Sequence, residues 1–161
     1  MDERTFVITV ARGFGSGGKE ISLDIAKRLK IPCYYTQILS MASDYSGINR
    51  DLFVRSDERL TGSRLVRILQ GQPNRDRVIE PTEKNFVSDV NLFNIQMKII
   101  RELADTQSCV IIGKCANDIL KDRKNVVSVY IEAPRDFCAA RVMNDFGCSR
   151  EEAGRMIHHT D

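Results

Sequence analysis

The chain has 161 residues, 24 Lys and Arg against 22 Asp and Glu, and 42% hydrophobic and 29% charged residues. That length and mix bury a sizeable core and suit one soluble α/β domain. The near balance of charge, with no basic stripe interleaved by aromatics, argues against a nucleic-acid partner. Five cysteines without a C-x-x-C pair indicate neither a disulfide framework nor a zinc site and suit a reducing cytoplasm, and no apolar run is long enough to span a membrane.

In chain order, Thr5 to Ala11 (TFVITVA) is β-rich and almost continuously apolar, as a strand buried on both faces of a parallel sheet would be. A glycine-rich loop follows, and then Ile21, Ile25, Ala26 and Leu29 recur at helical spacing from Lys19 to Lys30, ended near Pro32. Cys33 to Thr36 (CYYT) reads as a second short strand, completing a strand, loop, helix, strand unit of the right-handed parallel kind.

Residues Gln37 to Arg59 read as helical, broken around Ser46 to Asn49 (SGIN), and Thr61 to Pro81 is the least regular part of the chain. Gly71 to Arg77 (GQPNRDR) reads there as a mobile flap or loop. Phe86 to Ala104 has the clearest helical periodicity, with a second apolar set that predicts a helix covered around much of its girth. Cys109 to Gly113 predicts a buried strand, Ala116 to Leu120 a short helix and Val126 to Glu132 a further strand. Pro134 sits where a helix start tolerates it, ahead of a helix to about Asp145; Ser149 and Glu152 then form a capping-box signature for a last helix ending near His158.

The loop Arg12 to Glu20 (RGFGSGGKE) fits two patterns. As G-x-G-x-x-G (Gly13, Gly15, Gly18) it is a dinucleotide fingerprint; as G-x-x-x-x-G-K (Gly13, Gly18, Lys19) it is a P-loop without the usual following hydroxyl. A dinucleotide fold places an acid at the end of the second strand, where this chain has YYTQIL, and the lysine favours a phosphate cradle. Glu20 occupies the place of the magnesium-binding hydroxyl, Ile21 follows, and Ser22 is poorly placed on a helix, so phosphates and water would carry most of an Mg²⁺ ion's coordination.

Several segments, ITVARGFGSGGKEI, IPCYYTQIL, the long helix through CVIIGKCANDIL, VVSVYIEAPRDFCAARVM and SREEAGRMIHHTD, resemble the cytidylate kinase-like family of P-loop nucleoside monophosphate kinases. The resemblance implies a three-layer P-loop fold, one kinase-like domain over residues 1–161, with a parallel core sheet, a helical acceptor-binding insert at about 37–83 and the start of a lid at about 146–161. The lid arginines and a last strand follow that point in the family pattern. It further implies transfer of the γ-phosphoryl group of ATP, with Mg²⁺, to a nucleoside monophosphate, CMP or dCMP.

Carried over by position, Gly13, Gly15, Ser16, Gly17, Gly18, Lys19 and Glu20 would hold ATP, with Lys19, Arg12 and Arg141 as the catalytic cations. Arg12 reads equally as a surface charge, and Arg141 as a helix-surface ion pair. Lys114 stands where the family has an arginine touching the acceptor phosphate; Gln96 would meet the acceptor base or be a polar residue on a helix rim. Cys115 reads as a packed small residue, and His158 and His159 as a solvated helix end. Thr36 and Gln37 replace an acid and a base of the family pattern, and Asn117 replaces an acid. These departures leave open an alternative, a nucleotide-binding or regulatory module without efficient transfer.

Overall fold

The computed structural model describes residues 5–60, 62–71 and 77–161. They form an α/β fold around an all-parallel four-stranded sheet of order β2-β3-β1-β4, with β1 Val7–Arg12, β2 Cys33–Tyr34, β3 Cys109–Ile112 and β4 Val126–Ile131. The chain parts into two compact units, Met1–Tyr35 with Thr106–Asp161, and Thr36–Asp105.

The sheet unit owes its core to the apolar runs of β1 and β3: Val7, Val10 and all four residues of β3 are buried, as a strand covered on both faces requires. Helix α1, Gly18–Leu29, starts directly from the loop that follows β1. Its buried residues are Gly18, Ser22 and Ala26, not the expected Ile21 and Leu29, which are 45% and 46% exposed. Small side chains at i, i+4 spacing let the helix axis approach the sheet, so Ala26 packs with Val10 and Val110. β2 is shorter than expected because Thr36 already has helical backbone angles at the start of the next helix, without a side-chain cap.

Helices α7, Arg135–Phe146, and α8, Arg150–Thr160, pack through Cys138, Ala139, Val142, Ala153 and Ile157. The capping box at α8 is present in full: Ser149 Oγ accepts from the Glu152 N–H and Glu152 accepts from the Ser149 N–H at 2.8 Å. Hydrogen bonding from Ser149, its backbone N–H first and its side chain second, holds the Glu152 carboxyl below its ordinary range. The short helix α6, Ala116–Ile119, follows β3.

The second unit holds α2, Gln37–Ser46, α3, Arg50–Arg59, α4, Gly62–Gly71, and α5, Asp89–Thr106. The break at SGIN is a left-handed Gly47 followed by an Asn49 side-chain cap. Helix α4 corrects the expectation of an irregular stretch from Thr61 to Pro81, while most of the expected flap, residues 72–76, lies outside the described residues. The long helix starts at Asp89 rather than Phe86, since Asn85 is left-handed and turns the chain just before it. It is covered around its girth, as its two apolar sets predict, and also buries Asn91, Asn94 and Gln96.

Each of those buried amides is hydrogen-bonded, as buried polar groups must be. Asn91 accepts from Ile79 N–H and donates to Phe86 O, Asn94 donates to Arg77 O, and Gln96 donates to Asp57 at 2.8 Å. Arg59 pairs with Asp89 at the first turn of α5 and holds that carboxyl below its usual range.

Candidate functional site: a phosphate-binding loop

The end of β1 delivers the chain into a loop that only glycine can follow at two points. Gly15 and Gly17 are left-handed, at φ 78° and 81°, and Gly17 caps the first turn of α1. A side chain at Gly15 would strike Cys138 O at 2.8 Å and Val142 Cγ2 at 3.0 Å, so the loop lies flat against α7. The turn is fastened by Gly13 N–H to Ile131 O at 3.0 Å and Ser16 N–H to Gly13 O at 3.2 Å. This puts the positive end of the twelve-residue helix α1 at the floor of a groove of about 370 Å³.

The groove is lined by Arg12 through Glu20, Tyr35, Arg141, Val142, Asp145, Phe146, Thr160 and Asp161, all within the sheet unit. It brings together Arg12, Gly13, Gly15, Ser16, Gly17, Gly18, Lys19, Glu20 and Arg141, named from the sequence. Arg12 and Lys19 converge on Tyr35: the Arg12 Cζ lies 5.2 Å and the Lys19 Nζ 5.4 Å from the ring centroid, and Arg12 Nη2 donates to Tyr35 Oη at 3.1 Å. Neither cation has a carboxylate partner among the described residues. Arg141 rests on the Cα of Gly17, where an added Cβ would be 3.7 Å from its Cζ, and pairs with Glu20 at 3.3 Å. Its Nε is buried without a hydrogen-bond acceptor among the described residues.

Lys114 and Gln96 lie elsewhere. Lys114 belongs to a run of three left-handed residues after β3, Gly113, Lys114 and Cys115, at φ 67°, 56° and 53°. Such a conformation costs a non-glycine residue about 1–2 kcal/mol, so the turn is held by its surroundings. Gln96 sits in the second unit, buried rather than on a rim, with its amide donating to Asp57. Sequence reading missed Tyr35, which it took only as part of an acid-free strand, and the Asp161 carboxylate, which accepts from the Phe14 N–H at 2.7 Å on the loop's outer edge. The signal for Tyr35 was its position, one residue past a strand that runs parallel to the loop strand. Phe14 and Phe146 add an aromatic pair, 6.0 Å between centroids, on the same side of the groove.

The cradle suits a polyphosphate through its loop amides, its helix N-terminus and the two unpaired cations Arg12 and Lys19, although Glu20, Asp145 and Asp161 line the same groove and Glu20 pairs with Arg141. The same loop does not offer Mg²⁺ the hydroxyl of a usual P-loop. Ser16 Oγ accepts from Gly18 N–H, Ser22 Oγ donates to Gly18 O at 2.6 Å, and the Glu20 carboxylate is paired with Arg141. No group of three metal-ligating side chains is assembled among the described residues, and no helix there is long and apolar enough to cross a membrane.

A crystal structure of an uncharacterized protein from Eubacterium ventriosum superposes with a TM-score of 0.64 at 23% identity, over 98% of this chain and 71% of that one, and so shares the fold. A second, TT1252 from Thermus thermophilus, gives a TM-score of 0.49 at 18% identity, over 94% of this chain and 78% of the other. No curated protein shows a significant match. The profile of the cytidylate kinase-like family matches residues 7–161, from the first residue of the strand that carries the loop to Asp161 beside it. With the parallel sheet, the glycine loop and this match in agreement, the chain belongs to the cytidylate kinase-like family.

Proposed function

We propose that the chain is an ATP-dependent nucleoside monophosphate kinase acting on CMP or dCMP, in the cytoplasm. The observation that carries this reading is the convergence of Arg12 and Lys19 on Tyr35 at the mouth of the glycine loop, neither of them ion-paired to a carboxylate among the described residues. A groove of that kind is complementary to a polyanion, and phosphoryl transfer asks a protein chiefly for positioning and charge neutralisation.

ATP supplies the transferable γ-phosphoryl group. The amides of the loop, opened by the left-handed Gly15 and Gly17, hold its phosphates against the N-terminus of α1. Lys19, at the second position of that helix, neutralises charge on the transferring group, and Arg141 stabilises the donor side. Arg12 compensates the charge of the incoming acceptor. Mg²⁺ would be carried by phosphate and water oxygens, and no step assigned to these residues runs through it.

The test is acceptor-dependent ADP release with a panel of ribo- and deoxynucleoside monophosphates. Release with CMP or dCMP ahead of the others supports the reading, and no release with any of them overturns it. A second reading, nucleotide binding without efficient transfer, is favoured by Thr36 and Gln37 after β2 and by Asn117, whose amide donates to Asp118 at 3.1 Å. Saturable ATP binding in calorimetry with no turnover across the panel distinguishes it.

A further inference from the structure

Arg12 is held more firmly than a strand-end cation at a surface needs. Its stem crosses the Cα of Gly18 so closely that an added Cβ would lie 2.5 Å from Arg12 Cβ and 2.9 Å from Cγ. Its fork crosses the Cα of Gly113, where an added Cβ would lie 3.0 Å from Nη1. Its Nη2 donates to Tyr35 Oη at 3.1 Å. Two glycines and a tyrosine thus fix one guanidinium, and no carboxylate among the described residues neutralises it. One N–H is spent on Tyr35, which leaves most of the five donors of the fork for an anion.

The direction of that fork matters. In the sheet order β2-β3-β1-β4, Tyr35 follows β2 and Gly113 follows β3, so Arg12 leans from the end of β1 toward the β3 side. Arg141 comes from α7, which follows β4, the strand on the other edge of β1, and lies on Gly17. The two guanidinium groups therefore meet the loop at different points, Arg12 against Gly18 and Gly113 and Arg141 against Gly17, with Lys19 over the Tyr35 ring. In-line displacement at phosphorus needs the attacking and leaving oxygens on opposite sides of the transferred group.

We propose that Arg12, preorganised by Tyr35, Gly18 and Gly113, is the receptor for the acceptor's phosphate monoester, while Arg141 serves the donor. The assignment rests on the kinase reading above and moves the acceptor contact from Lys114 to Arg12. Tyr35 is then a positioning residue, acting through the fork that it tethers. A monoester dianion meets a fixed planar fork there, which lysine cannot imitate.

The experiment is calorimetric titration of wild type, Arg12→Ala, Arg12→Lys and Tyr35→Phe with CMP, cytidine and ATP separately, with circular dichroism to confirm the fold. Arg12→Ala should weaken CMP binding by about 10–100-fold, the scale of a charge-assisted contact, and leave cytidine unchanged. ATP affinity should change by less than about 3-fold, because only long-range charge is altered. Arg12→Lys should recover part of the CMP affinity, and Tyr35→Phe should lose a smaller share, roughly 3–10-fold, from a guanidinium that is present but untethered. Equal losses for CMP and ATP, equal losses for CMP and cytidine, or unchanged CMP binding in Arg12→Ala would each overturn the assignment while leaving the kinase reading intact. Wild type that binds ATP but no monophosphate from a panel of CMP, UMP, AMP and GMP would overturn both.

Discussion

Glu20 and Arg141 meet at 3.3 Å beside the phosphate loop, pairing the residue that replaces the usual P-loop hydroxyl with a cation that lies on Gly17. Both side chains keep substantial exposure, 62% and 34%, so the pair contributes little to stability. Its weight is electrostatic and local, since a carboxylate here would compete with a bound phosphate for Arg141.

Glu20→Gln should therefore tighten ATP binding, by about 2–5-fold at low salt and less at high salt, with little change in melting temperature. Calorimetry at two ionic strengths measures it. A tenfold loss of affinity instead would mean that Glu20 serves the bound nucleotide, through a metal ion or its water.

Gly15→Ala separates the two demands that the loop makes on glycine. Its Cβ would face both a left-handed φ of 78° and the backbone of Cys138, whereas Gly147, at φ 62°, has open space around it. Gly147→Ala should cost about 1 kcal/mol for conformation alone, and Gly15→Ala roughly 1–3 kcal/mol more for the clash. Urea titration of the two variants reads the difference, and equal costs would mean that α7 yields to the loop.

Ser149→Ala should lower stability by about 1 kcal/mol through loss of the cap on α8. The cap also carries a pH dependence. The Glu152 carboxyl is held below its unfolded value by the Ser149 donors, so its contribution is present above pH 4.5 and fades as pH falls through the folded value. Melting temperatures of wild type and Glu152→Gln, which removes the charge that the Ser149 N–H stabilises, should converge in acid, and a gap that stayed constant down to low pH would contradict the assignment.

Cys109 supplies the opposite sign. Burial, with a smaller contribution from Cys33, pushes its thiol up to about 11 from 9.0. Below pH 9 it is protonated whether folded or unfolded and adds no pH dependence; between pH 9 and about 11 the unfolded chain ionises first and stability falls. Maleimide labelling at pH 8 followed by mass spectrometry should find Cys109 protected until denaturant is added. Rapid labelling of the folded protein would contradict its burial.

What the sequence made legible was local. The apolar runs of β1 and β3, the glycine spacing from Gly13 to Gly18, the Gly47 break and the Ser149 cap are each written within a few neighbouring residues. Helix α1 shows where that stops: period alone selects Ile21 and Leu29 for burial, but the sheet accepts the helix through Gly18, Ser22 and Ala26 because small residues permit a close approach. Helix α4 does carry a helical period, in Leu65, Ile68 and Leu69, but the glycines at its two ends, Gly62 and Gly71, make the stretch read as a loop. Tyr35 was invisible as a site residue because its partners, Arg12 and Lys19, come from across a parallel crossover. Gln96 was placed on a rim because nothing in its neighbourhood announces Asp57, 39 residues away.

The role of the loop as a phosphate cradle is tested most directly by ATP binding to wild type and Lys19→Ala in calorimetry. Wild type should bind ATP saturably, and Lys19→Ala, with unchanged circular dichroism, should bind about 10–100-fold more weakly, the scale of one charge-assisted phosphate contact. Absence of ATP binding by wild type, or equal affinity in the two proteins, would contradict it.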